Sequence, residues 1–143
     1  MRHLDKDFTN IECSALYQSD DSQGRESKYW NLAVGFNCFL TPTGLIKRLK
    51  HIEKLCGRHH PALPSGQIPL DLDLVFLLVG TSLNGEVEHC LDYSFIKKTS
   101  YFVIPLANLY PFWSHPDTAV DLATTVINMN NLSPQLEKIS DVF

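Results

Sequence analysis

Apolar and polar residues alternate from Phe8 to Gln18, which puts Ile11, Cys13, Ala15 and Tyr17 on one side of an extended chain. That period of two predicts a strand. The polar run from Ser19 to Lys28 reads as a loop. Residues 29–40 are rich in aromatic and apolar types and predict a second, largely buried strand. The period then changes. Thr41-Pro42-Thr43 is a helix start, with Pro42 or Thr43 near the cap. Leu45, Ile46, Leu49, Ile52 and Leu55 follow at helical spacing, and Gly57 is the stop. Lys47, Arg48 and Lys50 lie between these apolar positions and read as a solvated face. Beyond them, Arg58 to Pro69 reads as a loop and Leu70 to Val79 as a strand. Asn84-Gly85 marks a hairpin turn. Residues 101–106 predict a short strand and residues 117–128 a helix, while the tail ending in Phe143 is weakly patterned. Strands interrupted by helices, with a hairpin, predict an α+β fold.

Length and composition narrow the class. The chain has 143 residues, enough for a single domain spanning 1–143 that buries roughly two thirds of its unfolded surface without staples. Hydrophobic residues at 44% and charged residues at 20% exclude disordered and fibrous classes. Twelve Lys+Arg against sixteen Asp+Glu give net −4, which disfavours a nucleic-acid partner. The longest apolar run, Leu74 to Val79, is too short to span a membrane. The polar start, Met1 to Asp7, shows no export signal, so a cytoplasmic location is expected. Cys13, Cys38, Cys56 and Cys90 form no Cys-x-x-Cys pair and read as reduced thiols, small buried hydrophobes rather than zinc ligands.

Leu70-Asp71-Leu72-Asp73-Leu74 is the sharpest local feature. On a strand, residues two apart share a face, so Asp71 and Asp73 project side by side. Two such carboxylates repel one another, and a hard divalent cation such as Mg²⁺ would relieve the conflict. Spacing alone favours the plainer arrangement, two solvated aspartates on a half-exposed strand. Arg58, in Gly57-Arg58-His59-His60, is a candidate phosphate donor, although a surface loop is the commoner role. In Tyr29-Trp30-Asn31, Asn31 offers donor and acceptor for the edge of a heterocycle and Tyr29 a stacking face. The alternative there is a strand with core aromatics. Glu53 sits in the last turn of the predicted helix, where the dipole disfavours an acid. No nucleophile elbow, phosphate loop or dinucleotide-binding glycine motif occurs.

The order of these pieces resembles the 6-hydroxymethyl-7,8-dihydropterin pyrophosphokinase family. The pieces are Ser14-Ala15-Leu16-Tyr17, Tyr29-Trp30-Asn31-Leu32-Ala33-Val34, Ile52-Glu53-Lys54-Leu55-Cys56-Gly57-Arg58 and Leu70-Asp71-Leu72-Asp73, with Tyr101-Phe102-Val103-Ile104-Pro105-Leu106 as a later echo. The resemblance covers about residues 10–115. It implies a ferredoxin-like sheet with helices packed on it, and transfer of a pyrophosphoryl group from ATP to the hydroxymethyl of a reduced pterin, leaving AMP. Asp71 and Asp73 match ligands of two Mg²⁺ ions, which reverses the preference drawn from spacing. Tyr29 and Tyr101 match aromatics that sandwich the pterin, Asn31 a residue that hydrogen-bonds it, and Glu53 and Arg58 positions lining the ATP side. Asp71, Asp73 and Arg58 are thereby the expected catalytic residues.

The departures from the family pattern are specific. Against the family pattern, the resemblance implies that the first strand and its Gly-Ser-Asn-Leu turn are absent, which in a ferredoxin-like sheet is expected to leave two neighbouring strands without a partner. Instability of the isolated chain, or self-association through that edge, is the expectation. Family arginines are replaced by His60, by Ile68-Pro69 and by Thr99, and a Pro-His by Asp92-Tyr93. Fewer cations around a transferring pyrophosphate stabilise less developing charge. Hence the alternative to an active enzyme is an impaired or inactive pterin- or nucleotide-binding paralogue.

Overall fold

The computed structural model describes residues 8–21, 28–57, 70–80, 82–129 and 135–141. In chain order the elements are β1 (Thr9–Cys13), β2 (Leu16–Asp20), β3 (Lys28–Asn31), β4 (Val34–Asn37), α1 (Pro42–Leu55), β5 (Phe76–Leu78), β6 (Val87–Cys90), α2 (Tyr93–Ile96), α3 (Ser100–Leu109), α4 (Leu122–Ile127) and β7 (Leu136–Ser140). Among the described residues every strand pairing is antiparallel, which agrees with the expected α+β class. The described residues form three small sheets, β1-β4, β3-β2-β7 and β5-β6. By contacts, the chain divides into two compact units, one built on Cys38–Leu91 and the other on Phe8–Asn37 with Asp92–Phe143. None of the described helices is long and apolar enough to cross a membrane.

In the second unit, each of the two long strands expected over 8–18 and 29–40 is broken in two. Tyr17 pairs with Asn31 and Cys13 with Val34, so the first strand carries one extra residue between those pairs. Ser14 fills this bulge. Its amide donates to Ala33 O at 2.9 Å, and its Oγ accepts from Ala33 N at 2.9 Å. The next amide, Ala15 N, leaves the ladder and donates to Asn108 Oδ1 of α3 at 2.8 Å. A second irregularity lies between Thr9 and Glu12, where Asn10 adopts φ 52°, a left-handed conformation that asparagine tolerates. The stretch read as a weakly patterned tail holds β7, which covers the other edge of β2.

Residues 101–106 are helical, not a strand. β-branched and aromatic residues biased that expectation, and packing overrides such propensity. Ser100, Val103 and Leu106, three residues apart, are buried along one face of α3. Pro105 lies inside the helix and removes one i→i−4 bond, yet it too is buried. The helix expected over 117–128 begins later, at Leu122, because Asp121 accepts from Thr124 N at 2.7 Å and caps it.

In the first unit α1 follows expectation. Thr41 is the N-cap, its hydroxyl accepts from Gly44 N at 3.2 Å, and Pro42 starts the helix. Gly57 ends the segment with φ 97°. The buried face differs from the expected one: Leu45, Leu49, Ile52 and Glu53 are buried, whereas Ile46 and Leu55 are exposed. Leu70–Leu74 carries no ladder, and the expected strand shrinks to Phe76–Leu78, which pairs with β6, with Val75 O accepting from Leu91 N at 3.0 Å at its start. Between β5 and β6 the turn closes from Gly85 N to Ser82 O at 3.0 Å, so Leu83-Asn84 rather than Asn84-Gly85 occupies its centre. The cysteines are less buried than expected. Cys13, Cys38 and Cys90 are half-buried, and Cys56 is exposed.

Candidate functional site

The acidic segment keeps its alternation without a sheet. Leu70, Leu72 and Leu74 are half-buried and Asp71 and Asp73 are exposed, so both aspartates lie on the solvent side of an extended chain. What holds that chain is Glu53. Its side chain is only 3% exposed, and its Oε1 accepts from the backbone N of Leu72 at 2.7 Å and from Lys50 Nζ at 2.8 Å. Lys50 also donates to Leu72 O at 3.2 Å. The residue between the two aspartates is thus gripped at both its amide and its carbonyl by side chains three positions apart on α1. Lys50 Nζ also stands 3.7 Å from Asp71 Oδ1, with both side chains about half exposed. A buried carboxylate needs this degree of hydrogen bonding.

Sequence reading placed Lys50 on a solvated face. The available signal was its spacing to Glu53, since residues i and i+3 of a helix are neighbours. Glu53 was visible as an acid in a disfavoured turn and, through the resemblance, as a position lining the ATP side; its grip on Leu72 was not. Arg58, His59 and His60 lie outside the described residues, as do Ile68 and Pro69.

A separate set of candidates belongs to the other unit. Tyr29 and Asn31 share one face of β3, opposite Ser19 and Tyr17 of β2. Asn31 Nδ2 donates to Ser19 Oγ at 3.0 Å and to Tyr29 O at 3.4 Å, which fixes the plane of its amide. Tyr101 lies on α3, its ring 5.0 Å from that of Phe102. Among the described residues Tyr29 and Tyr101 are not stacked on one another. Thr99, where the resemblance expects an arginine, is buried, and its hydroxyl donates to Phe95 O at 2.8 Å.

Two further features escaped sequence reading. Tyr110, just past α3, donates its hydroxyl to Glu12 Oε2 of β1 at 3.2 Å. Burial, and then the Glu12 charge and hydrogen bond, push the Tyr110 hydroxyl up to about 12. His115 stacks on Tyr93 with ring centres 4.6 Å apart, and Trp113 meets both rings edge-on. Burial also pushes the Cys13 thiol up, away from thiolate reactivity.

Fold and side chains together define an α+β protein with an acidic face held from a helix and an aromatic and amide face on a bulged hairpin. The chain belongs to the 7,8-dihydro-6-hydroxymethylpterin-pyrophosphokinase family, whose family model matches residues 1–111. The resemblance drawn from its motifs is therefore correct. At the level of the family, this is ATP-dependent pyrophosphoryl transfer in folate biosynthesis, with Mg²⁺. No curated protein matches the chain.

The residues fit the metal such chemistry needs. Among the described residues no group of three or more His, Cys, Asp or Glu gathers to cage an ion. Two adjacent carboxylates suit Mg²⁺, which usually takes one or two protein carboxylates and fills its shell with water and substrate phosphates.

Proposed function

We propose that the chain transfers a pyrophosphoryl group from ATP to the hydroxymethyl oxygen of 6-hydroxymethyl-7,8-dihydropterin, giving AMP and the pterin diphosphate. The observation that carries this reading is the grip of Glu53 and Lys50 on Leu72, which presents Asp71 and Asp73 together on the solvent side of one segment. Asp71 and Asp73 would hold two Mg²⁺ ions with the ATP phosphates. When bound, the metal supplies charge neutralisation at the phosphates and a template for the displacement. The chain's own residues do the positioning. Asn31, its amide nitrogen committed to Ser19 and Tyr29, presents its Oδ1 as a fixed acceptor to the pterin, Tyr29 and Tyr101 stack on its faces, and Arg58 meets the phosphates. Phosphoryl-type transfer rests mostly on such positioning and charge stabilisation. The ferredoxin-like arrangement of the family belongs to the same reading.

A second reading, a pterin- or nucleotide-binding paralogue without turnover, is favoured by Thr99, a buried neutral hydroxyl at an expected arginine position. One assay separates the two: AMP formation from ATP with Mg²⁺ and hydroxymethyldihydropterin, beside an Asp71→Asn/Asp73→Asn variant. Pterin-dependent AMP that vanishes in the variant supports the enzyme. A folded sample that binds pterin and makes no AMP supports the paralogue.

A further inference from the structure

We infer that Lys50 is a resident counter-cation of the acidic segment, and that it biases the site against a bare divalent ion and toward one already carried by a polyphosphate. The inference rests on the proposed metal role of Asp71 and Asp73.

Three contacts of one ammonium carry it. Lys50 Nζ is 2.8 Å from buried Glu53, 3.2 Å from Leu72 O and 3.7 Å from Asp71 Oδ1. The first two anchor the ammonium to Glu53 and to the backbone carbonyl between the aspartates, so it stays beside them when Asp71 turns toward a metal. An anchored positive charge there has opposite effects on two ligands. It repels a hydrated divalent cation approaching Asp71. It attracts a metal–triphosphate complex, whose net charge is negative. Lys50 and Asp71 are both about half exposed, so each effect is damped by solvent to a modest factor. Lys50 is thus a positioning and specificity-determining residue rather than a catalytic one.

The test uses the full chain and Lys50→Gln, which keeps an N–H donor for Glu53 and removes the charge. Binding is measured for Mn²⁺ alone, by the electron paramagnetic resonance of free Mn²⁺, and for Mn²⁺ with α,β-methylene-ATP, by calorimetry. Lys50→Gln should tighten bare Mn²⁺ about three- to tenfold and weaken the nucleotide complex by a similar factor. A purely structural lysine would move both affinities in the same direction, and that result overturns the inference. Equal affinities in variant and wild type overturn it as well. The Asp71→Asn/Asp73→Asn variant separates the two levels. If it binds Mn²⁺ as wild type does, the metal reading fails and takes the inference with it. If it loses Mn²⁺ while Lys50→Gln changes nothing, only the inference fails.

Discussion

Removing the carboxylate of Glu53 should loosen the acidic segment before it touches any chemistry. In Glu53→Ala the Leu72 amide loses an acceptor at 2.7 Å, and Lys50 loses its partner at 2.8 Å. A hydrogen bond to a charged group contributes about 1.5–3 kcal/mol. The Lys50 pair adds about 0.5 kcal/mol at most, because that side chain is 46% exposed. The sum is a loss of about 2–3 kcal/mol, or about 5–10 °C in melting temperature for a chain of this size. Glu53→Gln retains an oxygen for Leu72 N and loses only the charge, so its loss should be about 1 kcal/mol. Thermal unfolding followed by circular dichroism reads both, and Mn²⁺ affinity reads the segment itself. Glu53→Ala should weaken Mn²⁺ binding even at temperatures where the chain is fully folded. An alanine variant that melts with wild type and binds Mn²⁺ unchanged, yet loses nucleotide, would refute the positioning argument and make Glu53 a direct ATP contact.

Other outcomes follow from the same contacts. Asp71→Asn/Asp73→Asn should leave the melting temperature within about 2 °C of wild type, since both side chains are exposed, while abolishing pterin-dependent AMP formation. Gly35→Ala would drive a methyl into the Tyr110 hydroxyl and against its ring, forcing the ring away from Glu12. The overpacking should cost about 1–3 kcal/mol, much less in a Tyr110→Phe background, and unequal costs in a urea-unfolding cycle are the check. Because the Tyr110 hydroxyl titrates near 12 when folded and near 10 when unfolded, its contribution is full below about pH 10 and is lost as pH rises toward 12. Tyr110→Phe should flatten that part of the stability profile, measured by urea melts across the range. The Asp121 carboxyl is held below its usual range by its hydrogen bonds to Thr124, so its capping of α4 is present above about pH 4 and fades as the acid is protonated. Asp121→Asn, which keeps a capping oxygen, should remove that acid sensitivity.

Local signals in the sequence carried as far as local physics reaches. Thr41, Pro42 and Gly57 bounded α1 because caps and stops depend on a few neighbouring residues. The alternation of Leu70 to Leu74 likewise survived, since one-sided burial needs no ladder. What was illegible depends on partners far along the chain. Nothing near Leu136 says that it will pair with Ser19, and nothing near Tyr101 says that Val103 and Leu106 will find a helical face to bury. The bulge at Ser14 needed Ala33 and Asn108. At the site, Asp71 and Asp73 were legible as a pair, but Glu53 and Lys50 gain their roles from contact with Leu72, which no spacing within α1 announces.

The strand β2 has one neighbour close behind it and another that arrives last: Tyr17 meets Asn31 on one side and Lys138 on the other. During synthesis the β2–β3 hairpin can form as soon as it clears the ribosome. Its second edge must wait until β7 has been made, because long-range pairing is slow and leaves the open strand exposed meanwhile. The nascent chain therefore passes through a stage in which β2 is half clothed and adhesive, and β7 closes that stage. A premature stop codon before Leu136 would prolong it indefinitely, leaving a product that carries every proposed site residue and still sticks to its neighbours.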